Sequence, residues 1–111
     1  MVTLVNRAKM STATTGTGTV TLGTAESGYQ SFATAGVVDG NTVRYVIEDG
    51  TNWEIGSGVY ASSGPTLSRT PSESSSAGAA IVLTGSAVVY VSATKSDVTG
   101  RPFAMSLLFG G

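Results

Sequence analysis

The stretch Thr42-Val43-Arg44-Tyr45-Val46-Ile47-Glu48-Asp49-Gly50-Thr51-Asn52-Trp53-Glu54-Ile55-Gly56 decides the fold. Val43, Tyr45 and Ile47 fall on one side of an extended chain and Arg44, Val46 and Glu48 on the other, the period of two that marks a half-buried strand. Asp49-Gly50 follows as a turn signal, and Trp53 and Ile55 then alternate with Asn52 and Glu54. The spacing predicts a hairpin turning at Asp49-Gly50, with Trp53 and Ile55 on its buried face and Glu48 and Glu54 in water.

Working outward, the same chemistry recurs in shorter pieces. Thr17-Gly18-Thr19-Val20-Thr21-Leu22 alternates weakly, and Tyr29-Gln30-Ser31-Phe32 reads as a short strand between glycines. Gly58-Val59-Tyr60 leads to the breaker Ser63-Gly64-Pro65, after which Thr66-Leu67-Ser68-Arg69-Thr70 reads as a strand stopped by Pro71. Ser72-Glu73-Ser74-Ser75-Ser76-Ala77-Gly78 reads as a loop. Ala80-Ile81-Val82-Leu83 and Ala87-Val88-Val89-Tyr90-Val91-Ser92 flank Thr84-Gly85-Ser86, a second hairpin whose last strand is apolar on both faces and therefore central. No long stretch has an apolar period of 3.6, so little helix is expected. The fold class that follows is all-β: a small barrel or sandwich of about seven or eight short antiparallel strands with extended termini.

Composition agrees. Gly 15, Ser 15 and Thr 16 make up about two residues in five of 111, and only 13 residues are charged. Val, Leu, Ile and Phe together stay just above the roughly 20% below which a chain fails to bury a core. The chain has no Cys and no His, which removes disulfides, thiolate or imidazole metal sites, Cys nucleophiles and the Ser-His-Asp triad. A net charge of -1 and a pI near 5.1 offer no basic field for nucleic acid. No apolar run approaches the ~18 residues that span a bilayer, and the first residues lack the layout of a signal peptide.

The remaining chemistry-bearing groups are weak as signals. Gly16-Thr17-Gly18 is half of a dinucleotide fingerprint and precedes a β-type run rather than a helix. Asp39, Glu48, Asp49 and Glu54 could supply oxygen ligands to calcium, or a hydrolase acid pair if Glu48 and Glu54 shared a cleft; turn and solvent-facing strand positions account for them more simply. Lys95-Ser96 is a coincidence of a Ser-rich chain. The expectation is no enzyme, no metal and no cofactor. Tyr29, Tyr45, Trp53 and Tyr60 could form a sugar-stacking platform, against which stands the reading that Tyr45 and Trp53 stack on each other in the core.

The ends differ from the middle. Residues 1–93 form the β domain, and residues 94–111 a linker followed by Phe103-Ala104-Met105-Ser106-Leu107-Leu108-Phe109. That apolar segment either folds back on its own domain, docks on a neighbouring subunit, or stays disordered. In the docking reading, Phe103, Met105, Leu107, Leu108 and Phe109 carry the contact, with Val2, Leu4 and Val5 as a second arm.

Taken together, Ser11-Thr12-Ala13-Thr14-Thr15-Gly16-Thr17-Gly18-Thr19-Val20-Thr21-Leu22-Gly23, Tyr29-Gln30-Ser31-Phe32, the hairpin from Val43 to Gly56, and Gly64-Pro65-Thr66-Leu67-Ser68-Arg69 resemble a small β domain of tailed-bacteriophage virion proteins. It occurs at the N-terminus of tail-fibre-like proteins and as a free-standing neck or tail accessory protein. The resemblance covers roughly residues 5 to 93. It implies a virion structural protein without catalytic residues, assembled in the host cytoplasm in many symmetric copies, with portal, adaptor, nozzle, tail fibre or major capsid protein as partner and neither nucleic acid nor membrane. About 18 residues follow Ala93, too few for a fibre shaft, so the expected place is the head-to-tail or tail-fibre region. The alternatives are a capsid decoration protein and a carbohydrate-binding host-adhesion module.

Overall fold

The structure is a computed structural model that describes residues 2–93. Its centre is the expected hairpin, numbered here as β4 (Thr42–Asp49) and β5 (Asn52–Ala61), paired from Asp49 opposite Asn52 to Thr42 opposite Val59. The turn lies at Gly50-Thr51, one residue beyond the expected Asp49-Gly50. Gly50 takes φ 64, the left-handed conformation that a two-residue hairpin loop needs at its first position. Asp49 thereby stays in the strand with its side chain buried.

Pairing also reverses the expected phase of β5. Directly opposed residues project to the same face, and Tyr45 opposes Gly56 while Ile47 opposes Glu54. Because Val43, Tyr45 and Ile47 are buried, Glu54, Gly56, Gly58 and Tyr60 point inward with them. Trp53, Ile55 and Val59 lie on the outer face, so the expectation of a buried Trp53 and a solvent-facing Glu54 is corrected.

Around the hairpin stand β1 (Lys9–Thr12), β3 (Val20–Thr21), β6 (Thr66–Leu67), β7 (Thr70–Ser74) and β9 (Ala87–Val91). They complete a seven-stranded sheet in the order β1-β9-β4-β5-β6-β3, with β7 also paired to β5, that curls into a half-barrel. β9 is central, between β1 and β4, as its two apolar faces foretold. β2 (Thr15–Gly16) and β8 (Leu83–Thr84) form a separate small ladder. The expected second hairpin is thus not made: both edges of β9 are taken, and Thr84 is held instead by Asp49, whose carboxylate accepts the Thr84 N–H at 2.7 Å and its hydroxyl at 2.9 Å.

Two further expectations change. Tyr29–Phe32 is not a strand: Gln30 makes an isolated bridge to Ala8, and Ser31 caps one helical turn, α1 (Phe32–Ala35), by accepting the Thr34 N–H. Pro71 does not stop a strand but sits within β7, beside an irregularity in the β5 register, where an edge strand tolerates a missing N–H. The free side of β1 is closed by residues 23–30, including Ser11 N–H to Thr24 O at 2.8 Å and Glu26 N–H to Lys9 O at 2.9 Å, which removes an exposed edge.

The interior holds Met10, Val20, Leu22, Phe32, Val43, Tyr45, Ile47, Tyr60, Leu67, Ile81, Leu83 and Val89, with the Phe32 and Tyr60 rings stacked at 6.1 Å. One feature of β5 controls its closure. The backbone of residues 68–71 crosses directly over Gly58 and Gly56, so a Cβ on Gly58 would collide with the Ser68 carbonyl oxygen and one on Gly56 with that of Thr70.

Gly58→Ala is therefore expected to cost about 2 kcal/mol or more, since overpacking against backbone cannot relax by a rotamer change. Val59→Ala, next along the chain but exposed, should stay within about 0.5 kcal/mol. Urea denaturation of the two variants checks the contrast.

Candidate functional site

The close crossing at Gly56 and Gly58 delivers Arg69 into the interior beside Glu54. The two side chains are 1% and 0% exposed, so this ion pair is fully buried. Arg69 Nη2 donates to Glu54 Oε1 at 2.5 Å and Nε to Oε2 at 3.2 Å, a bidentate fork. Nη1 donates to the carbonyls of Gly16 and Gly18, both at 3.2 Å, and Nη2 also to Ile81 O at 2.8 Å. All five guanidinium donors are thereby used. Glu54 completes its own set by accepting the Tyr45 hydroxyl at 2.6 Å and the Ile81 N–H at 2.9 Å. Burial pushes the Glu54 carboxyl toward protonation, but hydrogen bonds from Arg69, Tyr45 and Ile81, with the Arg69 charge, outweigh it and hold it below the usual carboxylate value. Burial, followed by the hydrogen bond and charge of Glu54, raises the Tyr45 phenol far above its ordinary value.

The four carboxylates singled out in the sequence do not converge. Glu54 is locked in this cluster, and Asp49 holds Thr84. Asp39 accepts the Ser62 N–H and hydroxyl at 2.8 and 3.2 Å, and Glu48 lies exposed on the outer face. Glu48 and Glu54, on β-strand positions of opposite phase, face different sides of the sheet, so no shared cleft joins them. No group of three carboxylates among the described residues could hold a metal ion.

The aromatic residues separate as well. Tyr45 and Tyr60 are buried, whereas Trp53 is 39% exposed and Tyr29 37%. The expected Tyr45–Trp53 stack is not formed, nor is a platform of Trp53 with Tyr60. A different grouping, with no signal in the sequence, occupies the outer face. Lys9 opposes Tyr90 across β1 and β9, and its ammonium lies 5.1 Å from the Tyr29 ring centre and 5.5 Å from that of Tyr90. The Arg7 guanidinium lies 4.0 Å from the Tyr29 ring centre and donates to Gly28 O at 2.8 Å. The Tyr90 hydroxyl donates to Glu48 Oε2 at 3.2 Å, and burial, with the Glu48 charge, raises its pKa. Lys9, Tyr29, Glu48 and Tyr90 line an open cavity of about 350 Å³.

Of the docking residues expected from sequence, Phe103, Met105, Leu107, Leu108 and Phe109 lie outside the described residues. In the N-terminal arm, Leu4 is 48% exposed, Val2 is half-buried, and Val5 packs against the core, so Val5 belongs to the domain rather than to a free arm. The structure adds a fact about placement. Thr3 N–H bonds to Thr42 O at 2.6 Å and Ser92 N–H to Arg44 O at 3.0 Å. The other edge of β4 is occupied by β5, so the first and last described segments lie in line along the same edge.

Comparisons with models of known families, with curated proteins and with solved structures find no match to this chain.

Glu54→Gln and Arg69→Met are each expected to cost about 3–5 kcal/mol, because either leaves a buried charge unpaired, while the double variant should cost less than the sum. Since the folded Glu54 value lies below the unfolded 4.5, its ionised form contributes stability above that pH and loses it as pH falls through the folded value. Thermal melting from pH 6 down to about pH 3 should fall more steeply for the natural chain than for the double variant.

Proposed function

We propose that this protein is a non-enzymatic structural component of a bacteriophage virion, an accessory or attachment subunit of the head-to-tail or tail-fibre region. The observation that carries the reading is that the first and last described segments lie along one edge of β4, at Thr42 and Arg44. The exposed Leu4 and the last described residues thus lie in one region of the domain, and Phe103, Met105, Leu107, Leu108 and Phe109, further along the sequence, can act with Leu4 as an apolar anchor. A folded β body whose β1 edge is covered by residues 23–30 presents such an anchor without unfolding itself.

The set of residues resembling the phage domain supports the reading from a second side. Arg69, at the end of Thr66-Leu67-Ser68-Arg69, and Gly56 and Gly58, at the end of the hairpin motif, are the groups on which the closure of the half-barrel rests. The motif thus includes groups that build the fold. The partner is a virion protein: portal, adaptor, nozzle, tail fibre or major capsid protein.

Deletion of residues 100–111 is expected to leave a folded domain that no longer joins particles, and Leu4→Asp to reduce incorporation several-fold with little change in melting temperature. Particle composition by gel and mass spectrometry checks both. A truncated chain incorporated at the natural level overturns the reading.

A further inference from the structure

We propose that the outer face of the sheet carries a binding subsite for a pyranose sugar, formed by Tyr29, Lys9, Tyr90 and Glu48. Four neighbouring lanes of the fold each contribute one side chain: the segment covering β1, then β1, β9 and β4. The two charged groups are not neutralised by each other. The Lys9 ammonium contacts the Tyr29 and Tyr90 rings and has no hydrogen bond or ion pair among the described residues. Glu48 receives the Tyr90 hydroxyl on Oε2, which leaves Oε1 as an acceptor without a donor among the described residues.

This arrangement favours a ligand that both donates and accepts hydrogen bonds. A simple anion would satisfy Lys9 and be repelled by Glu48; a simple cation would do the reverse. An apolar molecule would desolvate both charges without compensating either. A fitting ligand brings acceptors to Lys9, donors to Glu48 and a C–H surface to the exposed part of the Tyr29 ring. A pyranose does all three, because each hydroxyl both donates and accepts and the ring faces carry C–H groups. The cavity of about 350 Å³ lies at the small end of ligand sites, which suits one or two sugar rings.

The site is also held in advance of binding. Arg7, in the left-handed region at φ 58, packs against Tyr29 and is itself tied to Gly28 O, which fixes the ring at little further entropic cost. With one carboxylate facing the cavity, the arrangement binds and does not hydrolyse. The inference does not depend on where the chain docks in a particle.

Two-dimensional NMR titration of the full chain with methyl α-glucoside, methyl β-galactoside and N-acetylglucosamine tests it. Saturable shifts centred on residues 9, 29, 48 and 90 are expected with at least one of them, at dissociation constants on the order of 1 mM. Binding should weaken at least about tenfold in Tyr29→Ala and in Glu48→Gln. The latter is an exposed change that keeps an acceptor for the Tyr90 hydroxyl and so preserves the fold. Three outcomes overturn the proposal: no saturable shift with any of the sugars, shifts unaltered by Glu48→Gln, or the same shifts produced by sodium acetate alone.

Discussion

The half-barrel depends on the buried pairing of Arg69 with Glu54. It draws together Tyr45 on β4, Glu54 on β5, the carbonyls of Gly16 and Gly18, and Ile81, four separate stretches of the chain. Two opposite charges taken out of water are stable only when every donor and acceptor is used, and here both inventories are complete. In a chain so rich in Gly, Ser and Thr, apolar contact alone specifies register weakly. A fixed set of hydrogen bonds to one guanidinium specifies it sharply, because a slip of one residue would send Glu54 to the outer face and strand Arg69.

The same constraint explains the glycines of β5. Arg69 reaches Glu54 only because residues 68–71 run flush against Gly56 and Gly58, and any side chain there would lift that segment off the sheet. The vacancy in β5, the crossing segment and the ion pair are therefore one device. Asp49 acts in a similar way at the far end of β4, where Thr84 donates its N–H to Oδ2 and its hydroxyl to Oδ1, while β8 pairs with β2 rather than with β9.

The outer face of the sheet differs from the interior in keeping large side chains exposed. It carries Trp53, Val59 and the cluster of Tyr29, Lys9, Tyr90 and Glu48, while the first and last described segments lie along one edge of β4. A subunit anchored through its ends and presenting a ligand-sized cavity on its sheet would keep the two tasks apart. The proposals for docking and for sugar binding thus draw on different parts of the surface.

Much of this was legible in the residues themselves. Alternation in Thr42–Glu48 determined a strand, Asp49-Gly50 announced the turn to within one residue, the two apolar faces of Val88–Val91 marked a central strand, and the want of a 3.6 period excluded long helices. The orientation of β5 was not legible, because hydrophobicity assigns Trp53 and Ile55 inward. Only strand register, set by a two-residue turn and confirmed by a cation 15 residues downstream, places Glu54 inside. Nor could sequence bring Lys9 beside Tyr90 and Tyr29, since that contact arises from pairing between strands about 80 residues apart. Local pattern marked the central hairpin and β9 as strands but missed β1 and placed a strand at Tyr29–Phe32, where a helical turn stands; long-range hydrogen bonding, which local pattern does not encode, decided which face of each strand is core and which side chains meet in the cavity.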